Sequence, residues 1–186
     1  MKVAGCSKLS LRPLTGHWFR ALNLKHWKSR LRTDHTRSCR SRFNSATSAS
    51  PSYRILYLGE NHQVAIYEMD ALLGDPNAPL SSPRGSCVLM SLDIRLYSVV
   101  DLCAPNQLKL ISASDQELTG SWVNNPAASP TQKLGAALHA LPNVEAMIYP
   151  SSKAGSRNLA IFMDKLDKRS AIVFKNELRG TTEKLV

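Results

Sequence analysis

The chain has 186 residues, 43% of them hydrophobic, which suits one domain with one sizeable core. No run of about 18 apolar residues occurs, so the sequence excludes a membrane-spanning helix. The formal net charge of +10 sits at one end: residues 1–48 hold 11 Lys and Arg against the single acid Asp34, and the remainder holds 13 basic and 13 acidic residues. A basic arm on a neutral body can meet RNA, hold a small anion or simply be solvated. This one lacks the Lys-and-aromatic alternation and the helix-turn-helix spacing of a dedicated nucleic-acid reader, which argues against direct nucleic-acid binding.

Cys6, Cys39, Cys87 and Cys103 are widely spaced and form no C-x-x-C pair. Neither a zinc site nor a disulfide framework is expected, and a reducing cytoplasm fits best. Val3-Ala4-Gly5-Cys6 has the form of a lipoprotein cleavage site, but only Met1 and Lys2 precede it, without the apolar stretch of roughly 7–15 residues that export requires. The first 48 residues also share the Arg-rich, acid-poor composition of a transit peptide, against which Arg20 and Arg42 fit inside the folded domain.

In chain order, residues 1–14 show no periodicity and are expected to form a disordered tail, followed by a single domain over residues 15–186. His17-Trp18-Phe19-Arg20-Ala21-Leu22 predicts a short strand carrying an arginine, and a polar, basic stretch follows to Arg42. Ser45 to Ser52 reads as a loop closed by Pro51. Arg54 to Leu58, followed by Glu60 to Leu73, reads strand, turn, helix: Val64, Ala65, Tyr67, Leu72 and Leu73 recur at near-helical intervals, Asn61 can cap the start, and Gly74 with Pro76 stops the end. Glu68 falls in the middle of that helix, either as a solvated surface acid or as an acid aimed at a pocket. Pro79 to Gly85 reads as a loop, and Ser86 to Leu102 as one or two strands around Asp93-Ile94-Arg95. The stretch through Trp122 has no readable pattern. Ser129 as N-cap with Pro130 in the first turn then opens a helix to about Leu141. Val144 to Tyr149, Asn158 to Met163 and Ala171 to Lys175 predict the last strands. This irregular order implies an α+β fold of small mixed sheets flanked by helices, with no internal repeat.

No G-x-S-x-G, H-E-x-x-H, Walker-type loop or G-x-G-x-x-G occurs, which removes several enzyme classes. What remains is scattered: Arg20 beside aromatics, Arg42-Phe43-Asn44, Tyr57 one strand before Glu68, and Tyr149-Pro150-Ser151-Ser152 between two strands. Each piece has a bland reading alone. Tyr57 can be a core aromatic, Ser151 a turn hydroxyl and Arg42 a structural arginine.

Taken together, the pieces resemble the family named for its Arg, Glu and Ser, the RES domain. Phe19-Arg20 matches its opening arginine after an aromatic residue. Ser41-Arg42-Phe43-Asn44 matches its G-R-[WF]-N element, with Ser41 in place of the glycine. Leu56-Tyr57-Leu58-Gly59-Glu60 with Ala65-Ile66-Tyr67-Glu68 matches its most specific element. Trp122, Thr131-Gln132-Lys133-Leu134-Gly135, Tyr149-Pro150-Ser151 and Asn158-Leu159-Ala160-Ile161-Phe162 match its later half, so the resemblance runs from about Trp18 to Phe174.

The resemblance implies an architecture similar to ADP-ribosyltransferases and a toxin that consumes NAD, paired with an antitoxin carrying a helix-turn-helix domain. It implies Arg20, Glu68 and Ser151 as catalytic residues and Arg42, Tyr57 and Asn44 as substrate-binding residues, with NAD as substrate, inorganic phosphate as possible co-substrate, and no cofactor or metal. The residue types suit that chemistry. A guanidinium fork fits the pyrophosphate of NAD, and a carboxylate beside the ribose stabilises the oxocarbenium character that develops as the nicotinamide leaves. Tyr57 can stack on a base, and Ser151 can hold the ribose or the carboxamide. Phosphorolysis is the first choice of reaction, with hydrolysis and protein ADP-ribosylation as alternatives; a non-catalytic basic binding module is the alternative of another class.

Overall fold

The apolar run Ile55-Leu56-Tyr57-Leu58 is short, bounded by polar residues and buried on both faces, as expected of a strand covered on both sides. In the computed structural model, which describes residues 1–47, 49–50, 52–73, 86–123, 127–152, 155–176 and 179–185, with the backbone alone for 70–73, it is one of seven strands among the described residues. These are β1 (Leu11–Asn23), β2 (Ile55–Gly59), β3 (Cys87–Asp101), β4 (Ala146–Pro150), β5 (Arg157–Phe162), β6 (Ala171–Asn176) and β7 (Thr181–Lys184). Four α-helices accompany them, α1 (His62–Leu73), α2 (Pro105–Leu110), α3 (Asp115–Thr119) and α4 (Pro130–Ala140), with 3-10 turns at Val3–Lys8, Leu24–Ser29 and Asp34–Arg37. The fold is mixed α+β. The helix-stop residues Gly74 and Pro76, the Pro79–Gly85 loop and Pro51 lie outside the described residues.

The expected small sheets are joined into one sheet of seven strands in the order β1-β2-β5-β4-β3-β6-β7. The join is β3, whose 15 residues pair antiparallel with β1 along nearly their whole length, antiparallel with β6 at Leu92–Arg95 and parallel with β4 at Val99–Asp101. Because β1 also pairs with β3 from Leu11↔Val100 to Asn23↔Cys87, strands β1, β2, β5, β4 and β3 close on themselves. The weak link in that ring is between β1 and β2, whose register is confined to Phe19↔Gly59.

Strand alternation divides the interior in two. Leu56, Leu58, Leu159, Ile161, Ile148, Trp18, Leu22, Met90 and Leu92 share one cluster, while Ile55, Ala160, Phe162, Met147, Tyr149 and Phe43 belong to a second, closed by Leu134 and Leu138 of α4. Residues 1–14, expected as a tail, are packed on the second cluster: Cys6 and Leu9 are buried in it, Lys2 N–H bonds the Ile111 carbonyl at 2.6 Å, and Met1 meets Glu117 at 2.9 Å. A 3-10 turn and the exposed start of β1 leave no amphipathic period to read.

The start of α4 follows its sequence signal. Ser129 Oγ accepts from Gln132 N–H, Gln132 Oε1 accepts from Ser129 N–H, and Pro130 sits in the first turn. Ser114 and Glu117 form the same capping box on α3, which at five residues is too short to show a period.

Candidate active site

The stretch Ser41–Asn44 is a tight turn, with Ser41 and Asn44 exchanging backbone hydrogen bonds. Ser41 does not adopt a left-handed backbone, so the glycine expected there is not needed. Its hydroxyl lies 2.8 Å from that of Tyr57, which also accepts from Phe43 N–H at 3.2 Å. Gln132 Nε2 donates to the Ser41 and Asn44 carbonyls at 2.9 and 3.3 Å, which ties the turn to α4. Gly135 completes the contact, since a Cβ there would stand 2.1 Å from the Phe43 carbonyl oxygen.

Two residues expected to touch substrate, Arg42 and Asn44, bond backbone groups. Arg42 Nη1 donates to the Leu118 and Gly120 carbonyls at 2.8 and 2.9 Å and so fixes the end of α3. Asn44 is 0% exposed; its amide donates to the Thr36 and Tyr53 carbonyls and accepts from Ala46 N–H. Both organise the loop that bears on Tyr57.

Glu68 and Ser151, 83 residues apart, meet. Ser151 Oγ donates to Glu68 Oε1 at 3.1 Å, and Asn158 Nδ2 donates to the same oxygen at 2.7 Å. The meeting follows from register: β2 pairs with β5 (Gly59↔Asn158) and β5 with β4 (Tyr149↔Asn158), so the start of α1 and the end of β4 flank one position. Tyr57 and Tyr149 lie on the same side. Burial raises the Tyr57 phenol to about 12, opposed by the bonds from Ser41 and Phe43 and by the Arg42 charge. Burial first, and then the Glu68 charge, raise Tyr149 well above its ordinary value. Both phenols therefore stay protonated, and the Tyr149 hydroxyl makes no hydrogen bond among the described residues, which leaves it able to donate to a ligand.

The segment between β4 and β5 is clamped by Glu60. Its carboxylate accepts from Ser156 Oγ at 2.6 Å, from Arg157 N–H at 3.1 Å and from Arg157 Nε at 2.8 Å. The Arg157 hydrogen bond is the largest of the effects holding the Glu60 carboxyl at about 2. A depressed carboxyl contributes stability above its unfolded value near 4.5, and that contribution is lost as pH falls towards about 2. The melting-temperature gap between the native protein and Glu60→Gln is thus expected to be constant above about pH 4.5 and to shrink below it; a gap that widens on acidification contradicts the clamp.

Arg20 is not with this group. Phe19 pairs with Gly59 and Arg20 with Met90, which puts Arg20 on the face of Trp18 and Leu22, opposite the face of Tyr57 and Asn158. There it lines a cleft of about 500 Å³ with Leu22, His26, Ser29, Arg30, Arg32, Asp34 and His35. Its only hydrogen bond among the described residues runs from Nη1 to the Arg30 carbonyl at 2.9 Å, and no carboxylate pairs with it. Burial lowers its pKa to about 10, and burial together with the Arg20 charge lowers that of His35. A half-buried cation without a counter-ion suits an anionic ligand.

Much of the basic arm is engaged internally. Arg12 pairs with Asp101, Arg30 with Glu183 while lying over the Trp27 ring, and Arg37 and Arg40 donate to the Ser52 and Ala127 carbonyls. Among the described residues no three His, Cys, Asp or Glu side chains are grouped to hold a metal, and no helix is long and apolar enough to cross a membrane. Asn158 and Tyr149 carry no signal as site residues in the sequence: both lie inside the elements that resemble the family, but an asparagine and a tyrosine in apolar strands give no separate chemical signal.

A family model described as the RES domain matches residues 17–179. No curated protein matches the chain in sequence. In structure the chain is similar to one from the crystal structure of the M. tuberculosis MbcT-MbcA toxin-antitoxin complex, with a TM-score of 0.68 at 14% identity, covering 98% of this chain and 87% of that one. At that identity the likeness is one of fold.

Proposed function

Because the chain belongs to the RES domain family, we propose that it is an enzyme that cleaves the bond between nicotinamide and ribose in NAD, with Glu68 beside the reacting ribose. The observation that carries the reading is the convergence of Ser151 and Asn158 on one Glu68 oxygen beside two protonated tyrosines. A carboxylate held this way can face the positive charge that develops on the ribose as neutral nicotinamide leaves, or accept from a ribose hydroxyl. Tyr149 and Tyr57 supply aromatic faces for the departing ring, and the Tyr149 hydroxyl supplies a donor. An architecture of ADP-ribosyltransferase type, implied by the resemblance, accords with this division of labour.

The phosphates of NAD need fixed cations. Arg42 spends Nη1 on two carbonyls, whereas Arg20 spends Nη1 on one and lines a cleft, and Arg20 directly follows Phe19, whose partner Gly59 ends β2 just before α1. A dinucleotide crossing there can place its pyrophosphate at Arg20 and its nicotinamide ribose at Glu68. On this reading Arg20→Ala raises KM for NAD by about 10- to 100-fold and leaves kcat within a few-fold, the pattern of a lost binding contact. An unchanged KM assigns the cleft to another ligand.

Inorganic phosphate is the acceptor we favour, giving ADP-ribose 1″-phosphate, because the cleft of Arg20 is also lined by Arg30, Arg32, His26 and His35, basic side chains that suit a second anion. A phosphate oxygen bonds to the ribose carbon as the bond to nicotinamide breaks. By fold likeness to a chain of a toxin-antitoxin complex, we further propose a toxin controlled by an antitoxin partner, one carrying a helix-turn-helix domain, in the cytoplasm. The test is incubation with NAD, with and without phosphate, and product identification by mass spectrometry. ADP-ribose 1″-phosphate formed only with phosphate supports the phosphorylase, and ADP-ribose in both tubes makes the protein a glycohydrolase. Intact NAD in both leaves protein ADP-ribosylation or a non-catalytic binding module.

A further inference from the structure

We infer that Asn158 is the residue that aims Glu68: with Ser151 it holds Oε1, and this leaves Oε2 as the atom presented to the substrate. The inference deepens the reading of Glu68 given above and rests on it for its kinetic arm alone.

Both donors reach the same atom, and Oε2 accepts no hydrogen bond among the described residues. A glutamate on a helix has three rotatable side-chain bonds, and one hydrogen bond leaves it free to swing about the bonded oxygen. Two donors from separate elements remove that freedom. Asn158 is the firmer of the two. It is 2% exposed and lies in β5, paired to Gly59 on one side and Tyr149 on the other, so its donor is set by the sheet itself.

The far end of the same side chain supplies the second argument. Asn158 Oδ1 is buried and accepts no hydrogen bond, one of only two such buried side-chain atoms among the described residues. A buried acceptor left unpaired weakens a fold, and an apolar residue of similar size removes the penalty. Leucine removes that penalty, offset by the loss of the 2.7 Å bond to Glu68, so packing alone gives no reason for asparagine here. What asparagine alone provides is the Nδ2 donor to Glu68, so the position is set by the site rather than by packing.

The experiment compares the full chain with Asn158→Leu, each with Glu68 and with Glu68→Gln, by melting temperature, NAD kinetics and crystal structure. Asn158→Leu is expected to melt within about 4 °C of the native protein, to lower kcat by roughly 10- to 100-fold and to keep KM within about 3-fold. In the Glu68→Gln background it is expected to change kcat by less than about 3-fold, since no carboxylate remains to be aimed. A merely structural asparagine gives the opposite pattern, a larger fall in melting temperature and the same fractional loss in both backgrounds, and that overturns the inference. Crystal structures read the aim without turnover. The Glu68 carboxylate is expected in one position in the native protein and displaced or divided in Asn158→Leu, and an unmoved carboxylate overturns the inference. If the carboxylate moves but the native protein never consumes NAD, the aiming role stands and the NAD reading falls.

Discussion

Glu68→Gln is expected to lower kcat for NAD cleavage by about 10²–10³-fold while leaving the fold and the melting temperature nearly unchanged. The substitution is close to isosteric, and the amide oxygen of glutamine can still accept from Ser151 and Asn158, whose bonds of 3.1 and 2.7 Å converge on Oε1. What disappears is the negative charge beside the ribose at the moment it becomes electron-poor. Because that charge matters most in the transition state, the loss falls on kcat rather than on KM. Glu68→Asp retains the charge but withdraws it by one methylene, and a misplacement of about 1 Å is itself worth roughly 10²-fold. NAD turnover at the native rate by Glu68→Gln removes Glu68 from the mechanism.

The largest effect on stability is expected from Glu145→Ala, about 3–5 kcal/mol, because it empties a buried position and leaves one buried and three half-buried donors without their acceptor. Glu145 is 2% exposed, just ahead of β4. One oxygen accepts from the Tyr97 and Ser98 N–H groups at 2.7 and 2.8 Å, the other from Asp167 N–H at 2.8 Å and from the Ser170 hydroxyl. Its backbone joins the same knot, with Glu145 N–H bonded to the Ser98 carbonyl and Phe162 N–H to the Glu145 carbonyl. One side chain thus ties β3 at Tyr97 and Ser98 to the connection between β5 and β6, through three backbone N–H groups and one hydroxyl. In calorimetry Glu145→Ala should melt about 6–20 °C below the native protein, at roughly 2–4 °C per kcal/mol for a chain of this size. Glu145→Gln, which keeps one acceptor oxygen, should lose less. A drop of under about 2 °C for Glu145→Ala would falsify the assignment of Glu145 as the buried tie.

The parts of this architecture that could be read in advance are those where a local signal and the tertiary outcome coincide. The strand and helix around Tyr57 and Glu68 are fixed by an apolar run with a polar boundary, and α4 by Ser129 and Pro130, both of which act within a few residues of themselves. The union of Glu68 with Ser151 was legible only through resemblance, since it depends on β2 pairing with β5 and β5 with β4. The local contacts of Arg42 and Asn44 could not be read from residue type. An arginine and an asparagine in a motif suggest ligand contact, but the backbone carbonyls of a tight turn and a helix end claim the same donors. The face to which Arg20 belongs depends on the register of β1 with β3, which alternation within β1 does not specify. The polar edge strand β7, Thr181–Lys184, has no apolar alternation, and its charged residues suit an exposed edge rather than a core.

The most direct test of the central claim is the structure of the Glu68→Gln protein with NAD bound, since that variant is expected to bind the dinucleotide without consuming it. In that structure the nicotinamide ribose is expected beside residue 68, Ser151 and Tyr149, with the pyrophosphate reaching the Arg20 cleft past Phe19 and Gly59. NAD bound elsewhere, with no contact to residue 68 or Ser151, contradicts it.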